Sequence, residues 1–403
     1  MQSSLDIDAK MKLLGDAGDA DGANGCAITR LPGVFQARLP GGQTMKLARV
    51  MQTNACSRSC HYCATRCGRN LKRTMFKPQE LAAAYMRMHR GRVAEGLFLT
   101  SGIPGDSLKM MDRMLTTAEL LRGQYGYRGY LHLKILPGCD YRQIERACLL
   151  ASRVSLNLEA PSDEALSAIA PEKSFSGDNL PRLQYAGRFI QMMRQEHPER
   201  RVAPAGVTTQ FVVGAAGERD TQVLRLVSSL LSRGLLHHAH YSAFQPVTET
   251  PLESRAPTPE LRGHRLYQAD HLLREYGFGY DELPFDAQGN LPLGLDPKRA
   301  WALAHPERFP VELTTASPQA LLRVPGIGPL AARRLAAARR HLVIRSLEDM
   351  RGLGIRTRHV AGFIAWRGRR LGTVETLATT MALTRTRSRV FALPIDVSPG
   401  AIR

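Results

Sequence analysis

The 403-residue sequence has no apolar run approaching the ~20 residues a helix needs to span a bilayer. No apolar stretch follows the charges of Met1 to Ala20, as a secretion signal would require. Neither membrane insertion nor export is therefore expected, and a cytoplasmic protein is. Aromatic residues are scarce at 6%, so the core must be built mainly from aliphatic side chains. Acidic residues are short as well: 36 Asp and Glu face 55 Lys and Arg, leaving a formal charge of +19. A surplus this large points to a polyanionic partner. What is present is otherwise ordinary, 43% apolar and 23% charged, which excludes collagen-like and broadly disordered chains. The length suggests two or three domains, unless a barrel takes most of it.

The seven cysteines are an odd set, and four of them (Cys56, Cys60, Cys63, Cys67) fall within twelve residues. A disulfide framework would spread them, so the crowding reads as metal or cluster ligation in a reducing compartment.

Charge is unevenly placed. From Leu321 to Arg403 there are 16 Arg, no Lys and 4 acidic residues, or +12, leaving +7 for the first 320 residues. Before this stretch, residues 284–310 hold five prolines and read as a linker. The expected order is a partly flexible lead-in at 1–45, a main domain at 46–283, that linker, a small helical domain at 311–375 and a tail at 376–403. The main domain alternates strand-like segments (Gly96 to Thr100, Tyr130 to Leu136, Arg153 to Glu159, Val207 to Val213, His238 to Phe244) with helical ones between them. That order predicts parallel strands with crossover helices, as an open sheet or barrel.

Parallel strands covered on both faces should be continuously apolar. Here Tyr130, His132 and Lys134 alternate with leucines, as do Ser155, Asn157 and Glu159, and His238, His240 and Ser242 continue the pattern. One face is polar, and with helices on the other it would line a lumen holding water or a polar ligand. A one-sided antiparallel sheet is the alternative, against which the long helical connections count.

The strongest motif is Cys56-Ser57-Arg58-Ser59-Cys60-His61-Tyr62-Cys63. Three thiolates spaced C-x3-C-x2-C can hold three corners of a cubane and leave one iron open, whereas a structural zinc wants four ligands. A zinc loop completed by Cys67 or His61 is the alternative. The spacing, with an aromatic residue before the last cysteine and an apolar segment (Leu47 to Met51) before the loop, resembles the radical SAM superfamily. The resemblance implies a partial (β/α)6 TIM-like barrel over roughly residues 45 to 285. It also implies a 4Fe-4S cluster on Cys56, Cys60 and Cys63, and S-adenosyl-L-methionine (SAM) on the open iron. Tyr62, Ser101, Gly102, Asn157, Glu159 and Gln245 would then line the SAM site, although the Leu99-Thr100-Ser101-Gly102-Ile103 segment lacks the acidic residue of the family's commonest form. The implied chemistry is an electron, from a donor such as flavodoxin or ferredoxin, that splits SAM into methionine and a 5′-deoxyadenosyl radical. His132, Lys134, Cys139 and His240 are candidates to orient a substrate or donate hydrogen, with internally satisfied polar groups as the alternative. Cys148, in an apolar helix, reads as a buried small hydrophobe.

The second motif is Arg323-Val324-Pro325-Gly326-Ile327-Gly328-Pro329-Leu330 running into Ala331-Ala332-Arg333-Arg334. Two short helices meeting at Gly-Ile-Gly let a phosphate approach the N–H groups that open the second helix. It resembles the helix-hairpin-helix DNA-binding motif, with a partial echo at Met350 to Ile355. That resemblance implies contacts from Gly326, Ile327, Gly328, Arg333 and Arg334; protein contact is the alternative. Together the two parts resemble radical SAM proteins with a C-terminal helix-hairpin-helix, described as DNA modification or repair proteins. The expectation is a radical SAM enzyme acting on DNA, on an extruded base or a single strand. The alternatives are an RNA-modifying enzyme, a DNA-binding protein with a structural or redox-sensing cluster, and an assembly subunit recruiting a partner repair protein.

Overall fold

The computed structural model describes residues 6–19, 33–38, 43–339, 341, 344, 346–353, 355 and 357–372. Cys26, Arg340, Arg356 and the expected tail at 376–403 lie outside them. The chain divides into two compact units. One is built on Met1–Glu218 and Ser229–Glu260, the other on Arg219–Ser228 and the described residues from Leu261 onward.

The first unit is a curled seven-stranded sheet in sequence order: β1 (Val34–Arg38), β2 (Thr44–Met51), β3 (Gly96–Thr100), β4 (Leu131–Lys134), β5 (Arg153–Ser155), β6 (Val207–Val213) and β7 (His238–Ala243). β1 pairs antiparallel with β2; every later pairing is parallel. Parallel strands in sequence order, each joined by a right-handed crossover, place all their helices on one face and curl the sheet into a partial barrel. The crossovers are α2 (Pro78–Arg90), α3 (Ser107–Arg122), α4 (Tyr141–Leu150), the pair α5 (Asp163–Ile169) and α6 (Leu180–Glu196), and α7 (Asp220–Ser232), which belongs to the second unit as far as Ser228. Local chemistry sets where they start. Asp106 accepts from Leu108 N at 2.8 Å, Asp140 from Arg142 N at 2.7 Å and Ser162 from Ala165 N at 3.2 Å, each satisfying helix donors that lack a partner in the first turn.

Three expectations change. The lead-in is not loose throughout, because α1 (Ile7–Asp19) precedes β1, which extends the sheet past the expected first strand. The third expected strand stops at Ser155, and the chain meets the sheet again as an isolated bridge between Glu159, left-handed at φ 65°, and Phe211. Tyr130, placed by parity on the polar face, belongs instead to an apolar plug with Phe35, Ala37, Met45, Leu47 and Ala205. The inward face is apolar at the N-terminal ends of the strands and polar only above that plug. The opposite face is apolar as expected: Leu97, Leu99, Leu131, Leu133, Val154 and Leu156 are completely buried.

The second unit carries α8 (Glu260–Glu275) from its second residue on, α9 (Pro297–Ala304), β8 (Val311–Glu312), α10 (Pro318–Arg323), α11 (Pro329–Ala338), α12 (Thr357–Val360), β9 (Ile364–Trp366) and β10 (Arg369–Leu371). Segment 284–310 thus includes α9, with Trp301 buried in aromatic contact with Phe278, His305 and Phe309. The small domain is not purely helical: β9 pairs with β8 in parallel and with β10 antiparallel.

Candidate active site and nucleic-acid interface

The cysteine loop follows β2 and is closed by polar residues with no regular secondary structure between them. Gln52 Nε2 donates to Phe76 O at 2.8 Å, Thr53 Oγ1 to Thr74 O at 2.7 Å and Asn54 Nδ2 to Lys72 O at 2.9 Å. Arg73 donates to the carbonyls of Thr65 and Arg66, both at 2.7 Å. A second set of bonds ties the loop to the end of α5. His61 N donates to Ile169 O at 2.8 Å, and Glu172 accepts from the backbone N–H of Ser59 at 3.0 Å and from its hydroxyl. Sequence reasoning did not find Arg73 or Glu172, because neither lies in the cysteine motif.

Among the described residues Cys56, Cys60 and Cys63 form no disulfide, Cys60 being buried and the others half-buried. Thr65 donates its backbone N–H to Cys63 Sγ at 3.4 Å, and its hydroxyl lies 3.3 Å from the same sulfur. Donors aimed at sulfur suit a thiolate ligand. Gly102, at the end of β3, donates its N–H to Thr53 O at 2.8 Å, and a Cβ there would strike the Ala55 carbonyl and come within 3.3 Å of Cys56 Cβ. Only glycine lets the strand end approach the cysteine loop this closely. Among the described residues no three His, Cys, Asp or Glu converge as ligands of a single metal ion.

Beside the thiols lies an ion pair. Lys173 Nζ is 3.0 Å from Glu159 Oε1, with side-chain exposures of 11% and 6%, and 3.4 Å from Tyr62 Oη. Burial drives the Lys173 pKa down, but the thiol of Cys60 and the Glu159 carboxylate outweigh it and leave it raised. Burial also raises Cys60, with Lys173 opposing. Tyr62 is held far above its usual range, by burial first and Glu159 next. Lys173 was missed in the sequence, where it stands alone in the Pro171-Glu172-Lys173-Ser174 turn. The π-helical turn Phe175–Asn179 follows, and the fully buried Asn179 donates to Asn157 O at 3.3 Å, while its Oδ1 meets no partner among the described residues. π-turns of this kind recur at functional sites.

The remaining candidates separate. Ser101 bonds its own neighbour, Oγ to Gly102 O at 2.7 Å. Asn157 is buried, and Gln245 is exposed, donating to Thr258 O at 3.2 Å. His132 is buried, bonded to Ser155 Oγ at 2.8 Å and stacked on Phe98 at 4.0 Å. Burial holds its pKa well down, and Arg153, His240, Arg49 and Lys134 add to that. Lys134 and His240 are half-buried. Cys139 has no exposure, and burial pushes its thiol up to about 12. Cys148 is equally buried, the packing role expected of it.

In the second unit, α10 and α11 meet at Val324 to Gly328, with Gly326 at φ +82°. Ile327 is buried, Gly326 exposed, and Arg333 and Arg334 exposed on α11. The hairpin rests on Lys298, itself buried, whose Nζ donates to Ile327 O at 2.6 Å and lies 4.5 Å from the centre of the Tyr276 ring. Arg323 is structural: it stacks on Phe278 at 3.8 Å and bonds Tyr276 O, Gly277 O and Glu282. The echo at 350–355 forms a short 3-10 turn at Arg351–Leu353, followed by α12; Gly354 is outside the described residues.

Fold and loop together define a partial α/β barrel bearing a three-cysteine loop at the C-terminal edge of its sheet. No protein-family model and no curated protein matches the chain. Among solved structures it is similar to methylornithine synthase, at 16% identity over 59% of this chain and 63% of that one, with a TM-score of 0.43. It is also similar to HydG, a maturase of the FeFe-hydrogenase, at 10% identity over 88% and 84%, with a TM-score of 0.45. A third is a radical SAM methyltransferase from Sphaerobacter thermophilus, at 19% identity over 66% and 84%, with a TM-score of 0.39. The chain thus spans less than two thirds of the synthase, and these overlaps are loose.

Proposed function

We propose that the protein is a radical SAM iron-sulfur enzyme acting on nucleic acid, DNA before RNA. The observation that carries this reading is the placement of Cys56, Cys60 and Cys63 on one pinned loop, with the buried Lys173–Glu159 pair and Tyr62 beside them. The donor set suits a cluster: three thiols, sulfur-directed donors from Thr65, and a neighbouring cation to offset thiolate charge. When bound, a 4Fe-4S cluster and SAM supply a 5′-deoxyadenosyl radical by reductive cleavage.

The chain's residues have the complementary tasks. Cys56, Cys60 and Cys63 hold the cluster. Lys173 offers a cation to the carboxylate of a methionine moiety, and Glu159 an acceptor to its ammonium or to ribose hydroxyls. Gly102 keeps the strand end against the loop, and its neighbour Ser101 borders the same space. The lumen above the plug, lined by Lys134, Gln210, His240 and Ser242, positions the substrate and limits water around it. Gly326, Gly328, Arg333 and Arg334 serve the nucleic-acid backbone, a sequence-independent and salt-dependent attraction.

Substrate class is read by adding single-stranded DNA, duplex DNA or tRNA to the reconstituted, reduced enzyme with SAM. Stimulation of 5′-deoxyadenosine formation by DNA and not by tRNA is expected. Stimulation by tRNA alone would transfer the assignment to RNA, and no response to either would remove nucleic acid as substrate.

A further inference from the structure

The β9–β10 hairpin of the second unit has no task in the reading above. Its strands pair Trp366 with Arg369 and Ala365 with Arg370, so the turn between them is only Arg367 and Gly368. Both lie at positive φ, 51° and 76°, as the tight primed turns of β-hairpins require. Glycine takes its position without cost, but the one before it is filled readily by Asn, Asp or Gly and not by a long side chain. Arg367 stands there nonetheless, held by Glu312, whose carboxylate accepts from Arg367 N at 3.1 Å and from Gly368 N at 2.8 Å. Thr314 binds the same carboxylate through its N–H at 3.0 Å and its hydroxyl at 2.6 Å. Burial raises the Glu312 pKa, and these four bonds outweigh it and leave it lowered.

Arg367, Arg369 and Arg370 are exposed, while Trp366 and Leu371 on either side of them are buried. Among the described residues none of the three guanidinium groups has an ion pair or a hydrogen bond. Arg323 and Arg351 of the same unit, by contrast, pair with Glu282 and Glu348. The sequence from Met350 to Gly372 holds six arginines and no Asp or Glu.

β10 is an edge of its sheet, and charge on an edge strand guards it against pairing with another chain. That accounts for Arg369 and Arg370. It does not account for Arg367, which lies in the turn at a backbone conformation of the strained kind that concentrates at binding sites. A guanidinium fork meets two phosphate oxygens at once, and three of them at one tip suit a phosphodiester backbone. A two-stranded ribbon fits the major groove of B-form DNA, about 12 Å wide, and not the deep, narrow groove of an RNA duplex.

We propose that the β9–β10 tip is a second DNA contact, seated in the major groove of a duplex with Arg367, Arg369 and Arg370 on the flanking phosphates. This rests on the reading above that the protein acts on nucleic acid. It extends the interface beyond the α10–α11 hairpin and makes a duplex the form in which the second unit holds DNA.

The test is fluorescence anisotropy of the full-length protein with a labelled DNA duplex, the RNA duplex of the same sequence, and polyglutamate as an acidic polypeptide, each over a range of salt. Arg369→Gln/Arg370→Gln should flatten the plot of log affinity for the DNA duplex against log salt by about 1.8, near 0.9 for each phosphate released, and should affect the RNA duplex far less. Arg367→Asn gives the turn a residue it favours, so its thermal midpoint should equal or exceed the wild-type value while its DNA affinity falls. DNA affinity and salt slope unchanged in either variant would overturn the proposal and leave the nucleic-acid reading standing. An RNA duplex weakened as much as the DNA duplex would overturn the groove contact. A loss confined to polyglutamate would overturn it as well, in favour of an acidic protein partner. Wild-type protein that binds neither duplex would overturn the nucleic-acid reading and the tip contact together.

Discussion

Lys173 carries a prediction about stability as well as a proposed role at the site. Its ion pair with Glu159 is almost wholly buried, so removing one partner strands a charge away from water. Lys173→Met should cost about 3 kcal/mol, read from urea unfolding, and the Lys173→Met/Glu159→Gln double variant should recover part of it. A double variant as unstable as the sum of the singles would show that the pair is not coupled. The three cysteines were legible as a candidate donor set because one loop supplies them within eight residues. Lys173 was not, because its relation to the thiols comes from the turn after α5 folding back against the loop, which no spacing encodes. Glu159 was placed among the site residues in the sequence, but not its left-handed backbone, four residues past the end of β5 and of the strained kind that concentrates at functional sites.

At the scale of elements, alternation predicted the parallel strands well. Gly96–Thr100 and Val207–Val213 have the expected bounds, and the apolar partners of the alternating positions are buried under helices. The antiparallel β1 was hidden because it follows a Gly-, Ala- and Asp-rich stretch that reads as loose chain. The closed lower barrel was hidden because parity says which way a side chain points and not how deep it lies.

The hairpin element has a buried dependence of its own. Burial depresses the Lys298 pKa from 10.5 to about 7, with Arg323 reinforcing and Asp296 opposing. Between those values the unfolded chain holds a proton that the folded one lacks, so stability rises with pH from about 7 to 10.5 and is flat below. The slope approaches 1.4 kcal/mol per pH unit at most. Lys298→Met should remove that contribution, seen as a flatter difference in unfolding free energy between pH 7 and pH 10. An unaltered pH profile in the variant would show that Lys298 is not depressed.

For the whole molecule, charge is unevenly distributed, and the proposed function assigns nucleic-acid binding to the more basic end. The first 320 residues carry +7 and the cysteine loop; the last 83 carry +12 and the hairpin. Arg333→Ala/Arg334→Ala should flatten the plot of log affinity for DNA against log salt by about 1.8, near 0.9 for each phosphate that an arginine no longer neutralises, while leaving the iron and sulfide content of the reconstituted protein unchanged. An identical slope would place the nucleic-acid contacts elsewhere.

The central claim is that Cys56, Cys60 and Cys63 hold a cluster that cleaves SAM. Its most direct test is anaerobic reconstitution with iron and sulfide, reduction with dithionite, and chromatography of the SAM products. Formation of 5′-deoxyadenosine by the wild-type protein, and none by Cys56→Ala, Cys60→Ala or Cys63→Ala, is the result this account predicts. An intact four-iron cluster that leaves SAM uncleaved would contradict it and make the cluster structural or redox-sensing.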